Sequence, residues 1–120
     1  RKGGSIAIIG FPVSNCEEIR KVAVEEGVDF VFLMSDTERW DWVKQKNGID
    51  LLNELLRLIA VVRNHDKVLL IGSDKRLGLM KGLLDRSTQV LTVVIGTSPI
   101  TGDVYVNPEP LRKMIQEIRG

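Results

Sequence analysis

Ser5-Ile6-Ala7-Ile8-Ile9-Gly10-Phe11-Pro12-Val13-Ser14-Asn15-Cys16-Glu17-Glu18 is the stretch that decides the fold. Ser5 to Ile9 is apolar without alternation and rich in β-branched residues, so it predicts a strand buried on both faces. Gly10-Phe11-Pro12 ends that strand. A helix start follows at once. Ser14 stands three before Glu17 and Asn15 three before Glu18, so either pair could form a capping box. A buried strand, a short turn and a helix make a βα unit, the kind of crossover that joins parallel strands.

The units that follow repeat the pattern. Ile19, Val22, Ala23 and Glu26 share one face of the first helix, and Gly27 is placed to end it as a left-handed residue. Phe30 to Met34 is the second buried strand. Ser35 to Gly48 is polar, holds Trp40-Asp41-Trp42, and reads as a loop plus a short helix. Asp50 then caps an apolar helix from Leu51 to Asn64, whose polar positions Asn53, Glu54 and Arg57 form a narrow stripe, so most of its circumference is expected to be covered. Lys67 to Ile71 is the third strand, ended by Gly72-Ser73-Asp74. A helix over Lys75 to Asp85 has Leu77, Met80, Leu83 and Leu84 as its core face. Val90 to Ile95 is the fourth strand, ended by Gly96-Thr97-Ser98-Pro99. Val104-Tyr105-Val106 is a shorter fifth strand, of either direction because Gly102-Asp103 could make a tight reversal. Asn107 caps a last helix with Pro108 at its first position and Leu111, Met114, Ile115 and Ile118 facing inward.

Alternating strands and helices with four continuous apolar strands predict an α/β fold. The expectation is a single domain over residues 1–120, a three-layer α/β/α sandwich on a mainly parallel five-stranded sheet. The sheet could be flavodoxin-like, with strand order 2-1-3-4-5, or Rossmann-like, with order 3-2-1-4-5.

Composition fits that class and removes others. At 120 residues the chain can bury about two-thirds of its unfolded surface, enough to fold without disulfides or a metal. It is 43% hydrophobic and 28% charged, which excludes disorder. The net charge of +1 carries no strong nucleic-acid or anionic-membrane signal. One Cys and one His cannot build a Cys/His zinc site. The apolar runs are too short for a signal-peptide core or a membrane span, so a cytoplasmic location is expected.

In parallel sheets, ligands lie beyond the carboxyl ends of the strands, at the switch in strand order. Here those ends carry Gly10, Ser14, Asn15 and Cys16 after strand one, and Ser35 and Asp36 after strand two. Strand three is followed by Gly72, Ser73, Asp74 and Lys75, and strand four by Thr97 and Ser98. Gly permits close backbone approach, and a helix N-terminus offers N–H groups to an anion. The same residues also serve as ordinary turn and cap residues. Cys16 falls in the first turn of a helix, where a thiol pKa can be lowered, or it is a small packing residue. His65 lies at the opposite, amino end of strand three, so it makes no dyad with Cys16. It reads as a residue complementing a helix C-terminus. Asp36 and Asp74 could converge on Mg²⁺, or simply cap their turns.

Familiar motifs are missing. No G-x-G-x-x-G follows strand one, Gly72 to Gly78 is followed by Leu79-Met80 rather than by Lys and Ser or Thr, and there is no G-x-S-x-G. The chain names no cofactor. The layout resembles response-regulator receivers in Thr97, Ser98 and Asn107-Pro108, but Gly10-Phe11-Pro12 stands where receivers carry an acidic pair. Val31 to Asp41 resembles the acidic strand of Toprim enzymes, with Gly10 where those carry Glu. Leu33 to Thr37 together with Gly72 to Arg76 resembles the ligand-sensing Rossmann domains of CRISPR systems, which would imply a cyclic oligoadenylate ligand. Each likeness covers short motifs only, and no family is assigned.

Three functions follow as expectations. The first is a small ligand-binding or regulatory domain that holds an anionic nucleotide or phosphate at the strand carboxyl ends. The second is a protein-interaction or assembly subunit, a homo-oligomer or partner-binding protein, using the Leu51–Val62 helix, Trp40 and Trp42, or both. The third is a Mg-dependent enzyme of phosphate chemistry using Asp36 and Asp74, or one using Cys16. It ranks last because no acid–base or nucleophile–base pair has matched spacing.

Overall fold

A computed structural model of the chain describes residues 5–73, 89–96 and 104–119. The expected Lys75–Asp85 helix, Asp74, Lys75, Thr97 and Ser98 lie outside the described residues.

Strand β1 (Ile6–Gly10) is buried at every position. It is flanked by β2 (Phe30–Leu33) and β3 (Lys67–Ser73), and β3 pairs in turn with β4 (Gln89–Gly96). All three pairings are parallel, in the order β2-β1-β3-β4. That arrangement agrees with the first of the two strand orders left open by the sequence.

Side chains of β1 alternate between two apolar clusters. Ile6 and Ile8 join Ile19, Val22 and Ala23 of α1 (Cys16–Glu25) and Leu111, Ile115 and Ile118 of α4 (Pro108–Arg119). Ala7 and Ile9 join Val68, Leu70 and Val62 of α3 (Gly48–Arg63) on the opposite face. This is the two-sided burial that a continuous apolar strand requires.

Helix ends follow local chemistry. Past the end of α1, Gly27 has φ 78. Its N–H reaches the Val24 carbonyl at 3.1 Å, and that of Val28 reaches the Ala23 carbonyl at 2.9 Å. These are the paired bonds of a Schellman ending, available because glycine adopts left-handed φ without a Cβ clash. Asn107 caps α4 by accepting from the Glu109 N–H at 3.1 Å. Arg112 of α4 forks to Glu25 and Glu26 at the end of α1, each at 2.8 Å.

That fork makes stability depend on acid. Hydrogen bonding to Arg112, against a smaller opposing effect of burial, holds the Glu25 carboxyl below its ordinary range. A carboxyl lowered in the folded state contributes stability above its unfolded-state pKa and loses it as pH falls through the lowered value. The urea midpoint should therefore drop as pH falls below about 4. The drop should be smaller in Arg112→Met. An acid profile identical to wild type in that variant would remove the fork as a cause.

Several boundaries differ from expectation. The Ser35–Gly48 stretch is mostly helix, α2 (Asp36–Lys44), because Ser35 and Glu38 close a full capping box. Helix α3 begins earlier than Asp50. Asn47 caps it by accepting from the Asp50 N–H at 2.8 Å. Strand β3 runs on through Gly72 and Ser73, which pair with β4 across an irregularity in register instead of forming a turn.

The expected fifth strand is, among the described residues, a single parallel bridge from Val104 to Val13. Past Val104 a side chain competes for the backbone. The Asn15 side-chain amide takes both the N–H and the carbonyl of Val106, at 2.9 and 2.7 Å. The single N–H of Val106 is then no longer free for a strand partner.

Helix α3, whose apolar circumference the sequence offers as a docking surface, has only Val62 buried. Leu58 packs beside it on the sheet. Ile49, Leu52, Leu55 and Leu56 are exposed. No helix among the described residues is long and apolar enough to cross a membrane.

Candidate functional site

The carboxyl ends of β1 and β3 lie side by side, since Gly10 pairs with Ile71 and the Phe11 N–H donates to the Ile71 carbonyl at 3.2 Å. The loop after β1 therefore sits against the end of β3. Gly72 and Ser73 belong to that end, and Ser73 is a buried polar residue. Asp74, Lys75, Thr97 and Ser98, the rest of the expected crevice, fall outside the described residues.

Gly10 has a packing role. A Cβ there would stand 2.9 Å from Ile71 Cβ and 3.0 Å from Leu33 Cδ2. Its missing side chain lets β2 and β3 close on β1.

The backbone donors of residues 11–14 are engaged. Besides Phe11, the Val13 N–H donates to the Met34 carbonyl and the Ser14 N–H to the Val104 carbonyl, both at 2.9 Å. Pro12 has no N–H. Residues 11–14 thus direct every backbone donor into the protein, whereas an anion cradle needs several turned toward a common point. The Phe11–Pro12 peptide is cis.

Asn15 heads α1 without a side-chain cap bond. Its amide instead joins Val106 and the Glu18 carboxylate, the latter at 2.9 Å. Partial burial, and Glu18 beside it, raise the Tyr105 phenol above its ordinary pKa. Glu17 and Glu18 occupy the first turn of α1 and already complement its positive end. Cys16 is half-buried against the α1/α4 cluster, and its thiol reaches the Val13 carbonyl at 3.2 Å. Glu38 Oε1 lies 4.0 Å from the same sulfur.

On the β2 side, Ser35 is spent on the capping box and Asp36 stands in the first turn of α2. Asp36, Thr37, Trp40, Asp41 and Lys44 line a shallow open groove of about 420 Å³ along α2. Among the described residues, no three His, Cys, Asp or Glu side chains converge as a metal site would require. His65 follows the end of α3, with Nδ1 2.7 Å from the Val61 carbonyl, at the amino end of the sheet. That is the dipole-complementing position read from the sequence.

The two tryptophans separate, as residues two apart on a helix should. Trp42 packs edge-on against Phe32, ring centroids 6.2 Å apart, with Lys46 Nζ 4.8 Å above it. Trp40 is exposed. Sequence reasoning missed the tie between residues 12–15 and 104–106. The signal available was an Asn directly before a helix, which can spend its amide elsewhere than on its own cap.

No protein-family model, no curated protein and no solved structure matches the chain.

Proposed function

We propose that this domain is a protein-interaction module that docks a partner on the outer stripe of α3. One observation carries the reading. Ile49, Leu52, Leu55 and Leu56 are 73%, 55%, 40% and 55% exposed. Their spacing puts them on one side of one helix. Leaving these four in water forfeits about 3–7 kcal/mol relative to burying them. Scattered apolar residues on a surface need no explanation, but a contiguous stripe does. The chemistry it fits is a second apolar stripe, such as one face of an amphipathic helix. Exposed Trp40 on α2 is a residue type suited to a hot spot.

A photo-crosslinking residue at Leu55, in cells that make the protein, is expected to give one discrete adduct. Leu52→Lys combined with Leu56→Lys should abolish that adduct while changing stability by no more than about 0.5 kcal/mol per site, since both positions are exposed. An adduct that survives the double substitution, or a diffuse smear of products, would overturn the reading.

A second reading keeps an anionic nucleotide or phosphate at the strand carboxyl ends. It is favoured by the abutting ends of β1 and β3 and by buried Ser73. Thermal-shift measurements with nucleotides and inorganic phosphate separate it from the first.

A further inference from the structure

The exposed stripe of α3 has a symmetry of its own. Ile49, Leu52, Leu56, Ala60 and Arg63 are all exposed, and their positions fall within one sector of the helix surface. Along the chain they are spaced three, four, four and three residues apart. That spacing is the same from either end, with Leu56 at its centre. A second α3 laid against the first in the opposite direction sets Leu56 against Leu56, Leu52 against Ala60 and Ile49 against Arg63. The leucine then meets the smallest side chain of the stripe, so a ridge on each helix finds a groove on the other.

Charge follows the same symmetry. Asp50 stands in the first turn of α3 and Arg63 in the last. Among the described residues neither side chain forms an ion pair, whereas Glu54 and Arg57 between them pair with each other at 3.0 Å. In the antiparallel arrangement the aliphatic stem of Arg63 covers Ile49 of the other helix, and its guanidinium comes to Asp50, the next residue along. Both ends gain such a pair, and each helix end meets the opposite end of the other dipole. A parallel neighbour would instead set Asp50 beside Asp50 and Arg63 beside Arg63.

We propose that the occupant of the α3 stripe is a second copy of this chain, docked α3 against α3, antiparallel about a two-fold axis at Leu56. The proposal rests on the reading of the stripe as a docking surface and names what it takes. An unrelated amphipathic helix that covered the leucines would need a small residue, an acid and a base at matching places, and α3 carries all three. The contact is isologous and closes on itself, as a two-fold interface must. A helix of 16 residues is about 24 Å long, so the contact is small and the dimer dissociates on dilution.

The test is light scattering of the full chain across a concentration series, with circular dichroism and a cooperative melt to show that each variant is folded. The mass should rise from 13.4 kDa toward twice that value as concentration approaches millimolar. Asp50→Arg and, separately, Arg63→Asp should each weaken dimerisation about tenfold, since the two-fold axis counts each lost pair and each new repulsion twice. The two together rebuild the pair with its sign reversed, and should bring the dissociation constant back to within about threefold of wild type. They also put both charges at the wrong ends of the helix dipole, so that recovery cannot come from a more stable monomer. A wild-type chain that stays monomeric at millimolar concentration overturns the proposal. So does a double swap as weak as either single one, or a dimer that survives Leu52→Lys with Leu56→Lys. A Leu55 crosslink in cells to a protein other than this chain overturns it too, while keeping α3 as a docking surface. Absence of both the dimer and any adduct that depends on α3 overturns both readings.

Discussion

Leu69→Ala is expected to remove a large share of this domain's stability. Leu69 is fully buried on β3, between Ile8 of β1 and Leu91 of β4, in the cluster that joins the sheet to α1 and α4. Strands on both sides fix the backbone around it, so the neighbourhood cannot collapse to fill the space. Truncating a buried leucine costs about 2–5 kcal/mol, and the upper part of that range applies where relaxation is restricted. Domains of this kind are stable by only about 5–15 kcal/mol in total. Equilibrium unfolding in urea should show a midpoint lower by roughly 1–3 M, with the slope unchanged. A shift under about 0.3 M would mean that the cluster repacks freely, contrary to its two-strand confinement.

Gly10→Val is the second large effect, and its sign is opposite to what a propensity scale gives. Valine favours strands and glycine does not, so in an open strand the change would stabilise. Here the new Cβ would meet Ile71 Cβ at 2.9 Å and Leu33 Cδ2 at 3.0 Å. The leucine methyl can turn away. Ile71 Cβ is fixed to the backbone of β3 and can yield only if β3 moves. Overpacking of this sort costs about 1–3 kcal/mol, and valine's two further methyls place it at the upper end. The loss should appear in the protein without any ligand, by urea or thermal unfolding. Stability equal to wild type or greater would show that β1 and β3 can separate there at no cost.

The two substitutions mark what the sequence could and could not convey. Leu69 was legible: β3 is a continuous apolar run, and such a run predicts burial on both faces. Gly10 was legible as a strand end, but the reason for a glycine was not. That reason is the approach of two neighbouring strands, and register is not written in any one of them. Helix α3 shows the same division. Its apolar composition was plain, and composition correctly predicted a helix. Which residues would meet the sheet depends on where the helix crosses it, and it does so through Leu58 and Val62. Ile49, Leu52, Leu55 and Leu56 are left exposed.

The candidate site divides along the same line. The helix start after β1 was read from Ser14 and Asn15, each with Glu three positions on, but the closed capping box stands at Ser35, ahead of α2. Asn15 had an equally good pattern, yet gives its amide to Val106, 91 residues away. No local rule anticipates that choice, because a local cap and a distant backbone compete for the same side chain.

By itself, then, the sequence determined the class of fold, the parallel sheet, the helix endings at Gly27 and Asn107, and the inward faces of α1 and α4. Each of these depends on residues within a few positions of one another, where steric and hydrogen-bonding rules act directly. Tertiary structure alone decided the strand order, the closure of residues 12–15 by 104–106, the packing reason for Gly10, and the uncovered stripe of α3. Those features depend on which surfaces meet across the chain, and burial becomes specific only once the partners are in place.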